Sequence, residues 1–158
     1  MSSFYTREEL IAVRQQWKRS GRTVVFTNGC YDLLHPGHIR LLEQARSLGD
    51  VLILALNSDN SVERMKGPTR PLMNQTDRAG LACALAAVDA VTLFEEDTPR
   101  ELIAAILPDI LVKGADWPAD QIVGRDTVEA RGGRVILEPV EQGYSTTSII
   151  ERVRRAER

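Results

Sequence analysis

The chain holds two histidines, and both fall in the run Asn28-Gly29-Cys30-Tyr31-Asp32-Leu33-Leu34-His35-Pro36-Gly37-His38. A β-branched and aromatic strand, 23–27, precedes this run, and an amphipathic helix, 39–48, follows it. Two imidazoles at the mouth of a helix, behind a glycine-containing turn, suit the holding of phosphates. Amides of the turn and of the first helical turn point at an anion, and the helix dipole adds partial positive charge. Imidazoles there donate hydrogen bonds to phosphoryl oxygens and need no nucleophilic chemistry of their own. The alternative is a pair of ordinary surface or core histidines. Their shared place at a strand-to-helix junction, where ligands bind in open α/β sheets, favours the phosphate reading.

Other residues fall at comparable places. Lys66 and Arg70 flank a Gly67-Pro68 break, either as a basic loop that closes over a phosphate or as two solvated charges. Lys113 and Asp116 follow a predicted strand, at the carboxyl edge of the sheet, where Lys113 could meet a phosphate and Asp116 a sugar hydroxyl. Asp32 could orient a substrate hydroxyl or a Mg²⁺-bound water, or simply form an Asx-type turn. Arg78 opens a helix, where a cation is unfavourable to the dipole, and that misfit hints at an anion nearby. Trp117 could cover a sugar or base face or pack in the core. Cys30 offers its backbone to the anion, with a redox or nucleophilic thiol as the alternative.

At 158 residues the chain, 1–158, reads as one domain with a single core. A net charge of −2 and a pI near 5.7 leave no polyanion-binding footprint, which disfavours nucleic acid as a partner. No apolar run approaches the ~20 residues needed to span a bilayer, so no membrane partner is expected. The N-terminal stretch has neither a basic nor an apolar region of a secretion signal, and Cys30 and Cys83 fit no zinc or disulfide spacing. The expectation is a soluble, cytoplasmic protein.

Around the histidines the elements alternate. Thr6 and Glu9 form a capping box for a first helix that ends near residue 20. Residues 50–57 are a continuous apolar run, suited to a strand buried on both faces. A short helix over 58–66, an Ala/Leu-rich helix over 76–87, and a strand over 90–94 come next. Thr98-Pro99 then starts a helix to about 107, and strands follow at 109–113 and 134–137. Ser145 caps a last helix, about 146–155. This pattern predicts an α/β fold: a doubly wound, five-stranded parallel sheet with helices on both faces, Rossmann-like. No GxxxxGK[ST] and no GxGxxG opening the first helix are present, so neither a P-loop nor a dinucleotide site is expected.

The run from Gly29 to His38 fits the pattern G-x-[FY]-D-x-x-H-x-G-H and resembles the nucleotidyltransferase superfamily of cytidylyltransferases and pantetheine-phosphate adenylyltransferases. Gly143-Tyr144-Ser145-Thr146-Thr147-Ser148 resembles that superfamily's ISTT run, which opens the last helix over the triphosphate. Within the superfamily, five stretches are similar to the D-glycero-β-D-manno-heptose 1-phosphate adenylyltransferases. They are 26–38, Leu56-Asn57-Ser58-Asp59 with 66–71, Phe94-Glu95-Glu96-Asp97-Thr98-Pro99, Leu111-Val112-Lys113-Gly114-Ala115-Asp116, and 143–147. Two positions depart: Ile150 stands where ISSTxxR has arginine, and Val140-Glu141-Gln142-Gly143 lacks the arginine that glycerol-phosphate cytidylyltransferases carry there.

The resemblance implies adenylyl transfer from ATP to heptose 1-phosphate, giving ADP-heptose and pyrophosphate for the lipopolysaccharide inner core. It implies His35, His38 and Lys66 as catalytic residues. Asn28, Gly29, Cys30, Tyr31, Gly37, Arg70, Lys113, Ser145, Thr146 and Thr147 would bind nucleotide phosphates. Asp32, Asn57, Arg78 and Asp116 would meet the sugar phosphate. No carboxylate cluster has metal-cage spacing, so Mg²⁺ is expected to bind mainly through the ATP phosphates. A homo-oligomer, with a dimer as one form, and a separate heptose kinase acting upstream are the implied partners. The alternatives are a cytidylyltransferase for glycerol 3-phosphate or another small ester, and a non-catalytic nucleotide sensor.

Overall fold

The structure is a computed structural model that describes residues 2–115, 118–139 and 143–156. Its order is β1 (Ser3–Phe4), α1 (Arg7–Arg19), β2 (Val24–Gly29), α2 (Pro36–Ser47), β3 (Val51–Asn57), α3 (Asp59–Lys66), α4 (Gln75–Cys83), β4 (Ala90–Phe94), α5 (Arg100–Ile106), β5 (Ile110–Gly114), α6 (Arg125–Glu129), β6 (Arg134–Glu138) and α7 (Thr146–Ala156), with a 3₁₀ turn at Ala119–Gln121. The strands form one parallel sheet in the order β1-β4-β3-β2-β5-β6. From β2 the chain winds outward through β3 and β4, then returns to the other side of β2 as β5. The reversal of winding between β2 and β5 opens a crevice at their carboxyl ends.

Alternation along the central strands builds two cores. Val24, Phe26, Ile53 and Ala55 face one way, with Leu10 of α1, Leu102 and Ile103 of α5 and Val128 of α6. Val25, Leu52, Leu54 and Leu56 face the other way, with Leu42 and Ala45 of α2 and Ala79 and Ala82 of α4. All seven residues of β3 are buried, as its unbroken apolar run requires of a strand covered on both faces.

The sheet has six strands where five were expected. Ser3 and Phe4 pair with Ala90 and Val91, an addition too short to show any periodicity. The helix expected over 76–87 starts one residue earlier, at Gln75, capped by the Asn74 side chain accepting from the Asp77 N–H at 2.9 Å, and ends at Cys83. Pro99, not Thr98, stands at the cap of α5, which has no side-chain cap bond. Helix α6 was not foreseen. The capping box of Thr6 and Glu9 forms as read, and Ser58, read as the first residue of a short helix, is the cap of α3.

At the amino-terminal edge of the sheet each of three aspartates, one residue ahead of its strand, accepts a neighbouring strand's N–H. Asp50 takes Thr23, Asp89 takes Leu52 and Asp109 takes Val24, each at 2.8 Å. Asp109 also pairs with the buried Arg14 guanidinium of α1 at 3.1 Å, so this one carboxylate ties β2, through Val24, and α1 to the start of β5. Asp109→Ala removes that bond and leaves Arg14 buried without its counter-charge. It is expected to cost about 2–4 kcal/mol in urea unfolding, and Asp50→Ala, at an exposed bond, less than about 1.5 kcal/mol.

Candidate functional site

Helix α2 begins at Pro36, whose missing N–H costs nothing at the first helical position, and His35 is its cap. The Nδ1 of His35 accepts the His38 N–H at 3.3 Å. In the neutral ring this fixes the proton on Nε2, so the free edge of His35 is a donor. The His35 and His38 rings stack at 3.7 Å and 17°, and Tyr31 lies 4.6 Å from His38. Gly29 is needed for a packing reason: a Cβ there would sit 2.9 Å from Cε2 of Tyr31. Tyr31 itself adopts φ 48° and sends its ring into the core, 7% exposed, where burial pushes its hydroxyl pKa up.

The imidazoles open on a cavity of about 340 Å³ lined also by Asn28, Gly29, Cys30, Tyr31, Asp32, Gly37, Lys66, Arg70, Lys113, Tyr144, Ser145, Thr146 and Thr147. At its outer wall Ser145 caps α7, its hydroxyl accepting the Ser148 N–H at 3.0 Å. The opposite wall is basic. Arg70 is held by Asp32 at 2.6 Å, yet its Nη2 is buried with no hydrogen-bond partner. Lys113 donates to Oδ1 of Asn28 at the end of β2. Lys66 is exposed on the last turn of α3.

A second cavity, about 360 Å³, adjoins the first across Asn28, Gly29, Cys30, Lys66 and Lys113. Its remaining wall is Asn57, Met65, Asp97, Thr98, Pro99, Gln121, Ile122 and Val123. The Asn57 amide is buried and donates to Ser61 Oγ at 3.0 Å, and Cys30 Sγ lies 3.9 Å from its oxygen.

A profile of the cytidylyltransferase-like family matches residues 26–152, from β2 into α7. The chain belongs to the cytidylyltransferase-like family. It is 53% identical to the bifunctional protein HldE of Syntrophotalea carbinolica over 96% of this chain, and 58% identical to HldE of Magnetococcus marinus over 87%. It spans 31% and 28% of those two proteins. A lipopolysaccharide core biosynthesis protein of Thermoplasma volcanium superposes with TM-score 0.63 at 28% identity, over 79% of this chain and all of that one. The fold also resembles a pantoate–β-alanine ligase of Francisella tularensis, TM-score 0.59 at 14% identity, over 100% of this chain and 79% of that one. The family resemblance drawn from the histidine run is thereby borne out.

Two residues expected to meet ligand in this cytidylyltransferase-like domain are anchors instead. Arg78 does not reach either cavity. Its side chain is fully buried and binds the carbonyls of Met73 at 3.0 Å and Cys30 at 2.7 Å and the Asp59 carboxylate at 2.8 Å. The cation that misfits its own helix start answers those oxygens, not a ligand. Asp32 borders the first cavity, but its carboxylate accepts from Arg70 and from the amides of Leu72 and Met73, and it is 1% exposed. Burial opposes its charge, but the Met73 and Leu72 amides and the Arg70 guanidinium outweigh it and hold the pKa below the usual range. It shapes loop 67–73; it is not free to orient a substrate hydroxyl. Asp116 and Trp117 lie outside the described residues. Tyr144 and the apolar wall of the second cavity escaped the sequence reading, because single aromatic and aliphatic residues in loops carry no spacing signal.

Burial disfavours charge on both imidazoles. Burial lowers the pKa of His38 to about 4, helped by the positive potential of His35 and Lys66, while the nearby Leu33 carbonyl offsets only part of it. Burial also lowers His35. Desolvation pushes the Cys30 thiol up despite Lys66, Arg78 and Arg70, which opposes a thiolate role. In an NMR titration of the nucleotide-free protein, the His38 ring is expected to titrate near pH 4. Lys66→Met removes a cation that disfavours imidazolium, so it should move that midpoint upward. A His38 midpoint at the ordinary 6.5 in the parent protein would contradict this picture.

Proposed function

We propose that this domain transfers the adenylyl group of ATP to D-glycero-β-D-manno-heptose 1-phosphate, releasing pyrophosphate and giving ADP-heptose. One observation carries the phosphate-binding part of this reading. A stacked histidine pair at a helix start lines one cavity together with Ser145, Thr146, Thr147 and Arg70, whose Nη2 is buried without a hydrogen-bond partner. The heptose assignment is supported by the sequence likeness to the heptose 1-phosphate adenylyltransferases. The HldE relatives and the lipopolysaccharide core biosynthesis protein support it too.

In this reading the triphosphate lies in the first cavity, against the amino-terminal end of α2 and the first turn of α7. The acceptor occupies the second cavity, whose mixed wall of Asn57, Gln121, Met65, Ile122 and Val123 suits a sugar ring. The shared rim at Gly29, Cys30 and Lys66 is where the two phosphates meet. An oxygen of the sugar 1-phosphate, already anionic, attacks the α-phosphorus, and the bond from that phosphorus to the bridging oxygen of pyrophosphate breaks. No general base and no covalent enzyme intermediate are needed. The protein's part is alignment and charge compensation. His35 gives its Nε2 hydrogen, and His38, Lys66 and Arg70 add donors that strengthen as charge moves toward the leaving pyrophosphate.

The donor set does not fit a metal held by the protein. No group of three His, Cys, Asp or Glu gathers among the described residues, and the one carboxylate of the first cavity, Asp32, is fully engaged. Mg²⁺ would therefore enter with ATP, as part of the substrate.

Pyrophosphate release, measured with Mg²⁺, each nucleoside triphosphate and a panel of sugar and polyol phosphates, tests the proposal. ATP with heptose 1-phosphate is the expected pair, whereas turnover with CTP and glycerol 3-phosphate would overturn it. His38→Ala and Lys66→Ala are each expected to lower kcat by about 10²–10³-fold, with little change in Tm. ATP binding without turnover of any ester would favour the nucleotide-sensor alternative.

A further inference from the structure

Four rings run in a ladder through the site: Tyr31 to His38 at 4.6 Å, His38 to His35 at 3.7 Å, and His35 to Tyr144 at 6.3 Å with 19° between the planes. The inner end, Tyr31, is fixed in the core, while Tyr144, at the outer end, is 40% exposed. Tyr144 comes from the opposite end of the chain, one residue before the Ser145 cap of α7. Gly37 marks how closely these parts converge. A Cβ there would lie 3.1 Å from His35 Nδ1 and 3.3 Å from Tyr144 Cβ. No residue of α7 is buried, so the helix has little apolar packing of its own to seat it on the sheet.

We propose that Tyr144 is a positioning residue, which holds the His35 imidazole in its capping orientation and seats the first turn of α7 beside it. The two phosphate-binding walls then form a single unit. A planar ring offset-stacked on an imidazole restricts its rotation and adds attraction beyond area burial. With the His35 ring held, Nδ1 stays on the His38 N–H and the Nε2 hydrogen stays turned to the cavity. The contact uses the ring of Tyr144 and not its hydroxyl. The kinetic consequence rests on the adenylyl transfer proposed above, but the conformational one does not.

The test compares Tyr144→Ala and Tyr144→Phe with the parent protein. Imidazole ¹⁵N shifts of the nucleotide-free proteins report the His35 tautomer, and pyrophosphate release gives kcat and KM for ATP. The parent and the Phe variant are expected to show one His35 tautomer, protonated on Nε2, and the same kinetics. The Ala variant should show mixed tautomers, a kcat about tenfold lower or less, a raised KM for ATP, and an unchanged Tm. An Ala variant that keeps the single tautomer overturns the proposal; a kinetic defect without a tautomer change would assign Tyr144 to direct ligand contact. Should the parent release no pyrophosphate from any substrate pair, adenylyl transfer fails, and the tautomer comparison still decides the role of Tyr144.

Discussion

Two imidazoles 3.7 Å apart at a helix start cannot both carry charge without an anion between them and solvent. Burial lowers the pKa of both rings, joined at His38 by the charge of His35 and Lys66, and the rest of the site is arranged around that pair. Neutral rings can stack, cap the helix and pack on Tyr31. The neighbouring Lys66 adds to the depression at His38.

The constraint explains the anchors. A turn that presents its amides to phosphate must not collapse onto them, so its own carbonyls need partners below. Arg78 supplies one from a fully buried guanidinium on the Cys30 carbonyl, and it joins α4 to α3 through Asp59. Asp32 does the complementary work with carboxylate oxygens, gathering the amides of Leu72 and Met73. Asp109 and Arg14 close the sheet at its other end. Charged side chains that look like ligand groups in the sequence are here divided. Those at the cavity surface line the open space, and those one layer deeper hold the backbone that borders it.

Much of this was legible in the sequence. The unbroken apolar run of β3, the Thr6–Glu9 box and the strand–turn–helix around the histidines each carry their signal within a dozen residues. They led to the parallel fold and to most of the first cavity's lining. What was not legible depends on contacts between distant segments. The pairing of Ser3 and Phe4 with β4, the burial of Arg78 beneath Cys30, and the meeting of Tyr144 with His35 join positions that no local period relates. Arg78 shows the difficulty well: its misfit with the helix dipole was a true signal of nearby negative partial charge, but that charge belonged to backbone carbonyls and Asp59. The second cavity was missed for the same reason, since its wall comes from β2, β3, α3, the start of α5 and the 3₁₀ turn.

A crystal structure with a non-hydrolysable ATP analogue and Mg²⁺ tests the central claim most directly. The account expects the triphosphate within about 2.7–3.2 Å of His35 Nε2 and of the Ser145–Thr147 hydroxyls or amides, with the two imidazoles still stacked on each other. A triphosphate bound in the second cavity, or anywhere out of reach of both histidines, would contradict it.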